Sequence, residues 1–420
     1  MPSATEDAVS PQPLRVAQVV RRFAFEEWGG TENVVWSTSR ALRPLGVESE
    51  IVATAACSWP GHEVRDGVSI RRFRYIYPYF PLVAAKRLAL DKKGGNPLSL
   101  PLYRHLRIGH YDLYHVHTLG RMAQMASQAA RSNGRPYVMS FHGGLTDVPV
   151  EELRQMARPL AGTLRWGGLV DRALGWRVDP VRDAAGLICV GANELPALQE
   201  RYPGKRVLYL PNGVDAESLR QPSGLILRRH LAIPEGRQIL LCVSRIDYQK
   251  NQKLLLSLAA RCRSSGQDVQ VLLIGPVTVP SYYDELKAQA AELGVADFLT
   301  VVPGVEPGGE LLRAAYQQSD VFLLPSLHEP FGIVVLEAWS CGLPVIAARV
   351  GGLQHLVRDG DNGLLCDPRQ PDEWLAALAA LRESPRREAL VRNAARAVQD
   401  YSWSLISARL QEFYQEVLRG

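Results

Sequence analysis

Short apolar runs alternate with amphipathic stretches along almost the whole chain. Leu14–Val20, Glu50–Ala53, Asp112–His117, Pro136–His142, Ala185–Val190 and Val207–Leu210 read as strands. Helices are predicted at about Thr31–Leu45 and at Gly120–Ser132, whereas Val150–Arg182 reads as helical and irregular, with no clear strand. A second series starts near residue 236, with strands at Ile239–Ser244, Val269–Ile274, Phe298–Val302, Val321–Leu324 and Val345–Ala348. Helices at Asn251–Ser264 and Tyr282–Leu293 lie between them. Continuous apolar runs of this length, each followed by a helix, predict parallel strands covered on both faces. The fold class is therefore α/β, and the restart predicts two such sheets. Pro211, Pro222 and Pro234 place the linker in 211–236. Three helices close the chain, at Asp372–Arg382, Pro385–Val398 and roughly Ser402–Leu418. The last sets Leu405, Leu410, Phe413, Tyr414 and Val417 on an apolar face.

Composition adds two points. A chain of 420 residues, 46% hydrophobic and 22% charged, has enough apolar surface for two cores without staples. Its six cysteines are scattered, with no C-x-x-C pair, and read as small hydrophobes in a reducing cytosol. No apolar stretch reaches the roughly 20 residues a bilayer span needs. Residues 1–13, polar and without a basic residue, read as a disordered tail.

Charge is uneven. Residues 1–210 hold 27 Lys+Arg against 19 Asp+Glu, a balance of +8, and residues 211–420 hold 21 against 24, a balance of −3. Seven basic residues and several aromatics fall in 71–93. This segment is either a peripheral contact for an anionic membrane face or a solvated basic surface over an aromatic cluster. Nothing in the pattern points to nucleic acid.

Candidate chemistry is sought just after each strand, because open parallel sheets bind ligands beyond the carboxyl ends of their strands. Trp28, Gly29, Gly30, Thr31 and Glu32 follow the first strand. The two glycines make either a plain tight turn or a close approach to a ligand, and no G-x-G-x-x-G accompanies them. His142, Gly143 and Gly144 follow another strand, and His115 and His117 a third. No third ligand at zinc spacing joins these histidines. Arg245 and Lys250, in SRIDYQKN, place a guanidinium and an ammonium where a diphosphate would lie. Gly275 follows Val269–Ile274 and leaves room for a planar base. Glu329 and Glu337 stand eight positions apart in HEPFGIVVLEA, and a helix starting near Gly332 would offer free amides between them. Asp359 and Asp361 match a D-x-D metal pattern, but RDGDNG is a run of turn formers and reads as a turn.

Together these residues resemble glycosyltransferase family four. HEPFGIVVLEA is similar to its E-x7-E signature; GGTE, SFHGG, LPNGVD, SRIDYQKN and PVIAARVGG are similar to its other landmarks, in order, over about residues 14–400. The basic pair is spaced by five where some members have six, and 71–110 matches no landmark. The resemblance implies a GT-B fold, two Rossmann-like doubly wound domains facing a cleft. An acceptor domain would span 14–220 and a nucleotide-sugar domain 221–400, with 401–420 crossing back as a helix. Glu329 would bond the transferred sugar, and Glu337 the ribose. Gly332, Ile333 and Val334 would offer amides to the diphosphate or sugar, and Arg245 and Lys250 would neutralise the leaving group. His142 would lie near the anomeric carbon, and Gly29 and Gly30 would approach phosphate or acceptor.

What the resemblance implies is a retaining, metal-independent transferase, cytoplasmic or peripheral at the inner membrane face, that needs no cofactor beyond its co-substrate. The expected donor is a nucleotide sugar, uridine before guanosine, and the acceptor a hydroxyl. Two alternatives stay open: a GT-B epimerase or phosphorylase, and a non-catalytic nucleotide-sugar binder.

Overall fold

The computed structural model describes residues 12–27, 29–92, 94–143, 158–176, 179–306 and 308–420. Most of the predicted tail, Trp28, Gly144 and the start of the stretch from Val150 lie outside the described residues.

Two sheets organise the chain. The second is the simpler: six strands, all parallel, in the order Leu299–Val302, Val269–Ile274, Gln238–Val243, Val321–Leu324, Val345–Ala348 and Leu364–Cys366. Every residue of Val269–Ile274 is buried, which is why its pattern is apolar at all positions but Gln270 and does not alternate. One core cluster unites these strands with Leu255, Leu286, Trp339 and Trp374 from the covering helices. Val214, Leu219, Leu227 and Ile233, from the proline-rich segment, pack into the same core.

The first sheet has eight strands, in the order Arg206–Tyr209, Gly186–Cys189, Tyr137–Phe141, Leu113–Val116, Leu14–Arg22, Val47–Thr54, Val68–Phe73 and Gly61–Arg65. All its pairings are parallel except the last, an antiparallel hairpin. That hairpin was not expected: every residue of Gly61–Arg65 is exposed, so no apolar run marks it. The stretch read as free of strands holds one. Leu164–Arg165 pairs with Tyr79–Phe80, a ladder too short to leave a pattern.

The chain crosses between lobes twice, side by side. Leu210 packs in the first lobe and Val214 in the second, and Val214 N donates to the Tyr401 carbonyl at 2.8 Å. Ser402 then accepts from Leu405 N at 3.3 Å and starts the final helix, Trp403–Arg419. This helix returns to the first sheet, where Trp403, Leu410, Phe413 and Tyr414 are buried with Val16, Leu113 and Ile188.

Strand order fixes where ligands go. In the second sheet the direction of winding reverses between Gln238–Val243 and Val321–Leu324, and in the first between Leu14–Arg22 and Leu113–Val116. Crevices open at the carboxyl ends of such strand pairs.

Candidate active site

Both candidate clusters fall at these reversal points. Beyond Gln238–Val243 the chain makes a short 3-10 turn, Tyr248–Lys250, which Asp247 caps by accepting from Lys250 N at 3.2 Å. Beyond Val321–Leu324 comes the loop bearing Glu329, then the helix Ile333–Ser340. The Gln249 carbonyl accepts from Leu327 N at 2.8 Å and ties the two loops together.

The sequence places Lys250 and Glu329 on separate landmarks, and the fold brings them into contact. Lys250 Nζ lies 2.7 Å from Glu329 Oε2, with side-chain exposures of only 12% and 13%. Arg245 is held by two partners: Nη1 is 3.3 Å from Asp247 Oδ2, and Nη2 donates to Gln249 Oε1 at 3.0 Å. Its 36% exposure leaves part of the guanidinium open to a ligand. Asp247 is thus a positioning group, and Thr278 Oγ1 donates to the same oxygen, Oδ2, at 3.2 Å.

Gly332 precedes the helix with φ +100, a conformation that favours glycine, and a Cβ there would come within 2.6 Å of Leu353. The first turn leaves the amides of Gly332, Ile333 and Val334 without intrahelical acceptors at the positive dipole end. Glu337 is only partly covered as a residue, yet its carboxyl end is enclosed. Burial raises its pKa above the ordinary carboxylate value, and a bond from Tyr316 Oη to Oε2 at 2.6 Å partly offsets this.

The bend at Glu329–Gly332 is supported from behind by Gly351 and Gly352. Gly352 N donates to the Glu329 carbonyl at 2.9 Å. A Cβ on Gly351 would lie 2.4 Å from the Glu329 oxygen, and one on Gly352 would lie 2.0 Å from the Pro330 oxygen. The run PVIAARVGG was noted only as a landmark; its glycines let two backbones touch. Gly275 has a similar cause. The Ser244 carbonyl occupies the space of its side chain, at 2.0 Å, so a bound base is not needed to explain it.

The first lobe contributes His142. A Cβ on the adjacent Gly143 would lie 2.8 Å from Pro330 Cγ, so this loop abuts the Glu329 loop across the cleft. Nε2 of His142 is 2.8 Å from Nδ1 of His117, while its own Nδ1 has no hydrogen-bond partner among the described residues. Burial pushes the His142 pKa down to about 4, so the imidazole is neutral near pH 7. His117 is a partner the sequence reading left unassigned.

Gly29 and Gly30 lie where expected, with Gly29 preceding the helix Gly30–Leu42. However, Glu32 already stands in the first turn. Its Oε1 pairs with Arg22 Nε at 2.9 Å, and its Oε2 is 2.8 Å from where a Gly29 Cβ would be. The carboxylate at this helix start is thus already paired with a guanidinium. A cavity of about 190 Å³ opens beside it, lined by Arg21, Arg22, Thr31, His117 and Thr118 among others.

Asp359 and Asp361 serve their turn. Asp359 Oδ1 accepts from Leu365 N at 2.9 Å, and Asp361 pairs with Arg358 at 2.6 Å. No group of three or more potential metal ligands occurs among the described residues.

Two parallel-sheet lobes joined by a double crossing, with reversal points meeting at one cleft, define the class: a glycosyltransferase of GT-B architecture. Two family descriptions match and divide the chain between them, Glycosyltransferase Family 4 over residues 28–218 and Glycosyl transferases group 1 over 226–397. The D-inositol 3-phosphate glycosyltransferase of Thermobispora bispora is 33% identical over 410 residues, covering 93% of this chain and 90% of its own length. That of Geodermatophilus obscurus is 37% identical over 388 residues, with 89% and 82% covered. Among solved structures, Anabaena HepE in complex with UDP and glucose aligns with TM-score 0.70 at 20% identity, over 96% of this chain and all of that one. Sucrose-phosphate synthase from Thermosynechococcus elongatus aligns with TM-score 0.71 at 21% identity, over 97% and 99%. The chain belongs to glycosyltransferase family 4 and is a glycosyltransferase.

Proposed function

We propose that the protein moves a sugar from a uridine diphosphate donor to a hydroxyl of a small polyol or glycan, with retention and without a metal. The observation that carries this reading is the contact of Lys250 with Glu329 at the second lobe's reversal point, beside Arg245 and the start of the helix Ile333–Ser340. Cations and helix-end amides suit a diphosphate; a carboxylate among them suits sugar hydroxyls. Relatives named for inositol 3-phosphate and a like-folded structure holding UDP support the same assignment.

The steps follow from charge. The bond from the anomeric carbon to the β-phosphate oxygen breaks, and its electron pair leaves with the diphosphate. Lys250, Arg245 and the amides of Gly332, Ile333 and Val334 hold that charge in place. Lys250 then exchanges part of its pairing with Glu329 for phosphate, which frees Glu329 to accept from sugar hydroxyls. Glu337, backed by Tyr316, takes the ribose hydroxyls. The acceptor oxygen enters from the first lobe on the face the phosphate left, and passes its proton to a departing phosphate oxygen. The polar cavity lined by His117 and Thr31 is the acceptor's place. Both carboxylates act as positioners, unlike the acid and base of a hydrolase. Contact of the Gly143 and Pro330 loops excludes the water that would compete.

The test is turnover of UDP-sugars with polyol and glycan acceptors, read as UDP release together with a new glycoside. Donor breakdown without a glycoside under every acceptor would count against transfer to a hydroxyl of this kind.

The basic rim belongs to the same reading. Among the described residues no helix is long and apolar enough to cross a membrane. Phe80 (70% exposed) and Leu164 (68%) stand opposite each other on the short ladder, with Arg74, Lys86, Arg87, Arg165 and Arg172 nearby in the chain. Exposed apolar tips among cations match an anionic bilayer face. Vesicles of anionic lipid should pull the protein down at low salt, and Phe80→Ser with Arg87→Glu should release it. Equal binding to neutral vesicles would sink the idea.

A further inference from the structure

Behind His142 runs a chain of buried polar side chains that ends on the last helix. His142 Nε2 is 2.8 Å from His117 Nδ1, and His117 Nε2 is 2.8 Å from Gln18 Oε1. Gln18 Nε2 donates to Ser49 Oγ at 3.2 Å and to Tyr414 Oη at 3.3 Å. Tyr414 Oη is 2.6 Å from His115 Nδ1, and His115 Nε2 is 2.6 Å from Ser140 Oγ. Gln18 and Tyr414 are 0% exposed, and His115 is 2% exposed. Desolvation lowers the pKa of all three histidines, so each carries one ring proton.

Direction follows from the donors. With its amide nitrogen facing Ser49 and Tyr414, Gln18 turns its oxygen to His117, which must hold its proton on Nε2. His117 Nδ1 is then an acceptor, so His142 must hold its own proton on Nε2. Nδ1 of His142, the atom without a partner among the described residues, is left as a bare lone pair. At the far end Tyr414 accepts from Gln18 and donates to His115 Nδ1, and His115 donates to Ser140.

We infer that Gln18, His117 and Tyr414 are positioning residues which lock His142 in the Nε2–H tautomer, so that its Nδ1 accepts a hydroxyl of a bound substrate at the cleft. This rests on the proposed reaction, which sets donor sugar and acceptor in the cleft that the His142–Gly143 loop borders opposite Pro330. Tyr414 lies 299 residues from its partner His115, on the helix that follows the second crossing, so the chain's last element helps set the cleft's hydrogen-bond polarity. A histidine with the other tautomer would present a donor at Nδ1, and the same hydroxyl would have to turn its hydrogen elsewhere. Where a histidine ligates a metal, losing the group that orients it typically costs about 10- to 100-fold, and the low end sets the scale expected here.

The experiment is nitrogen-15 NMR of histidine-labelled protein, with resonances assigned through His142→Gln, His117→Gln and His115→Gln. The native protein should show His142 protonated on Nε2 and unprotonated on Nδ1. Gln18→Met should populate both His142 tautomers and lower kcat/KM about tenfold; Tyr414→Phe should do the same to a smaller extent. Thermal melts show whether each variant is folded, and the tautomer of the native protein needs no variant. Nδ1–H on native His142, or unchanged tautomers in folded Gln18→Met, would overturn the lock. His142→Ala transferring at full rate would instead remove His142 from the reaction while leaving the tautomer result standing.

Discussion

Among the described residues, the second lobe hangs on one continuous apolar core, and the first is divided among four smaller clusters. Between those clusters the first lobe places polar groups. The histidine chain is one such group, and Glu50 with His105, Tyr111 and Arg71 is another. Burial alone would raise the Glu50 pKa, but the bonds from His105, Tyr111 and Arg71 outweigh it and hold it at about 2. The second lobe sets Asp247, Lys250 and Glu329 in loops at the strand ends, where they engage one another or a ligand. A single core carries the loops of the diphosphate site on one packed unit. A divided lobe, with a mixed rim and an antiparallel edge, gives a surface that can differ where an acceptor must be chosen.

Substitutions break this contrast in graded steps. Lys250→Ala and Arg245→Ala should each lower kcat by about 10²- to 10³-fold, the usual size for removing a group that stabilises transition-state charge. Glu329→Ala removes a positioner of the sugar and should cost about 10²-fold. Lys250→Ala should also cost stability, because Glu329 at 13% exposure loses its partner. Next is Gly352→Ala, whose Cβ would overlap the Pro330 oxygen. It should destabilise the protein by about 1–3 kcal/mol in urea melts and displace the Glu329 bend, with a matching loss of rate. Tyr316→Phe removes the donor to Glu337 and should raise the donor KM several-fold, with a stability change of about 1 kcal/mol. Gly30→Ala is the mildest: nothing lies within 4 Å of the new Cβ, so melting should be unchanged or slightly higher.

The first lobe has its own pH signature. The pKa values of His115, His117 and His142 lie below the ordinary 6.5 when folded, so the unfolded chain binds protons more readily. Their contribution is complete above about pH 6.5 and is lost as pH falls toward 4, where His142 titrates. Each histidine adds a slope of at most about 1.4 kcal/mol per pH unit in that window. Glu337, held above its ordinary value, acts in the opposite sense and reduces the sum. Urea midpoints should therefore fall between pH 7 and pH 5, and fall less in His115→Gln. A flat profile would contradict buried neutral histidines.

The same contrast decides what the sequence reveals. Val269–Ile274 and Val321–Leu324 were legible because strands buried on both faces are near-continuous apolar runs, interrupted here only by Gln270. Gly61–Arg65 was not, being exposed throughout. Glu329, Glu337, Arg245 and Lys250 stood out as charges at strand ends. Their pairing did not, since Lys250 and Glu329 meet across 79 residues. Gly351 and Gly352 were visible only as a landmark, because a close approach of backbones is a tertiary fact. His117 was seen as a strand-end histidine, but Gln18 and Tyr414 give no local signal at all: each looks like a core position of its own element.

The central claim is that two cations and the helix-end amides take the leaving diphosphate without a metal while the acceptor attacks the same face. The anomeric coupling of the glycoside formed from an α-linked UDP-sugar in excess EDTA tests it in one spectrum. The account predicts an α-linked product formed at the rate seen without chelator. A β-linked product, or turnover abolished by EDTA and restored by a divalent cation, would contradict it.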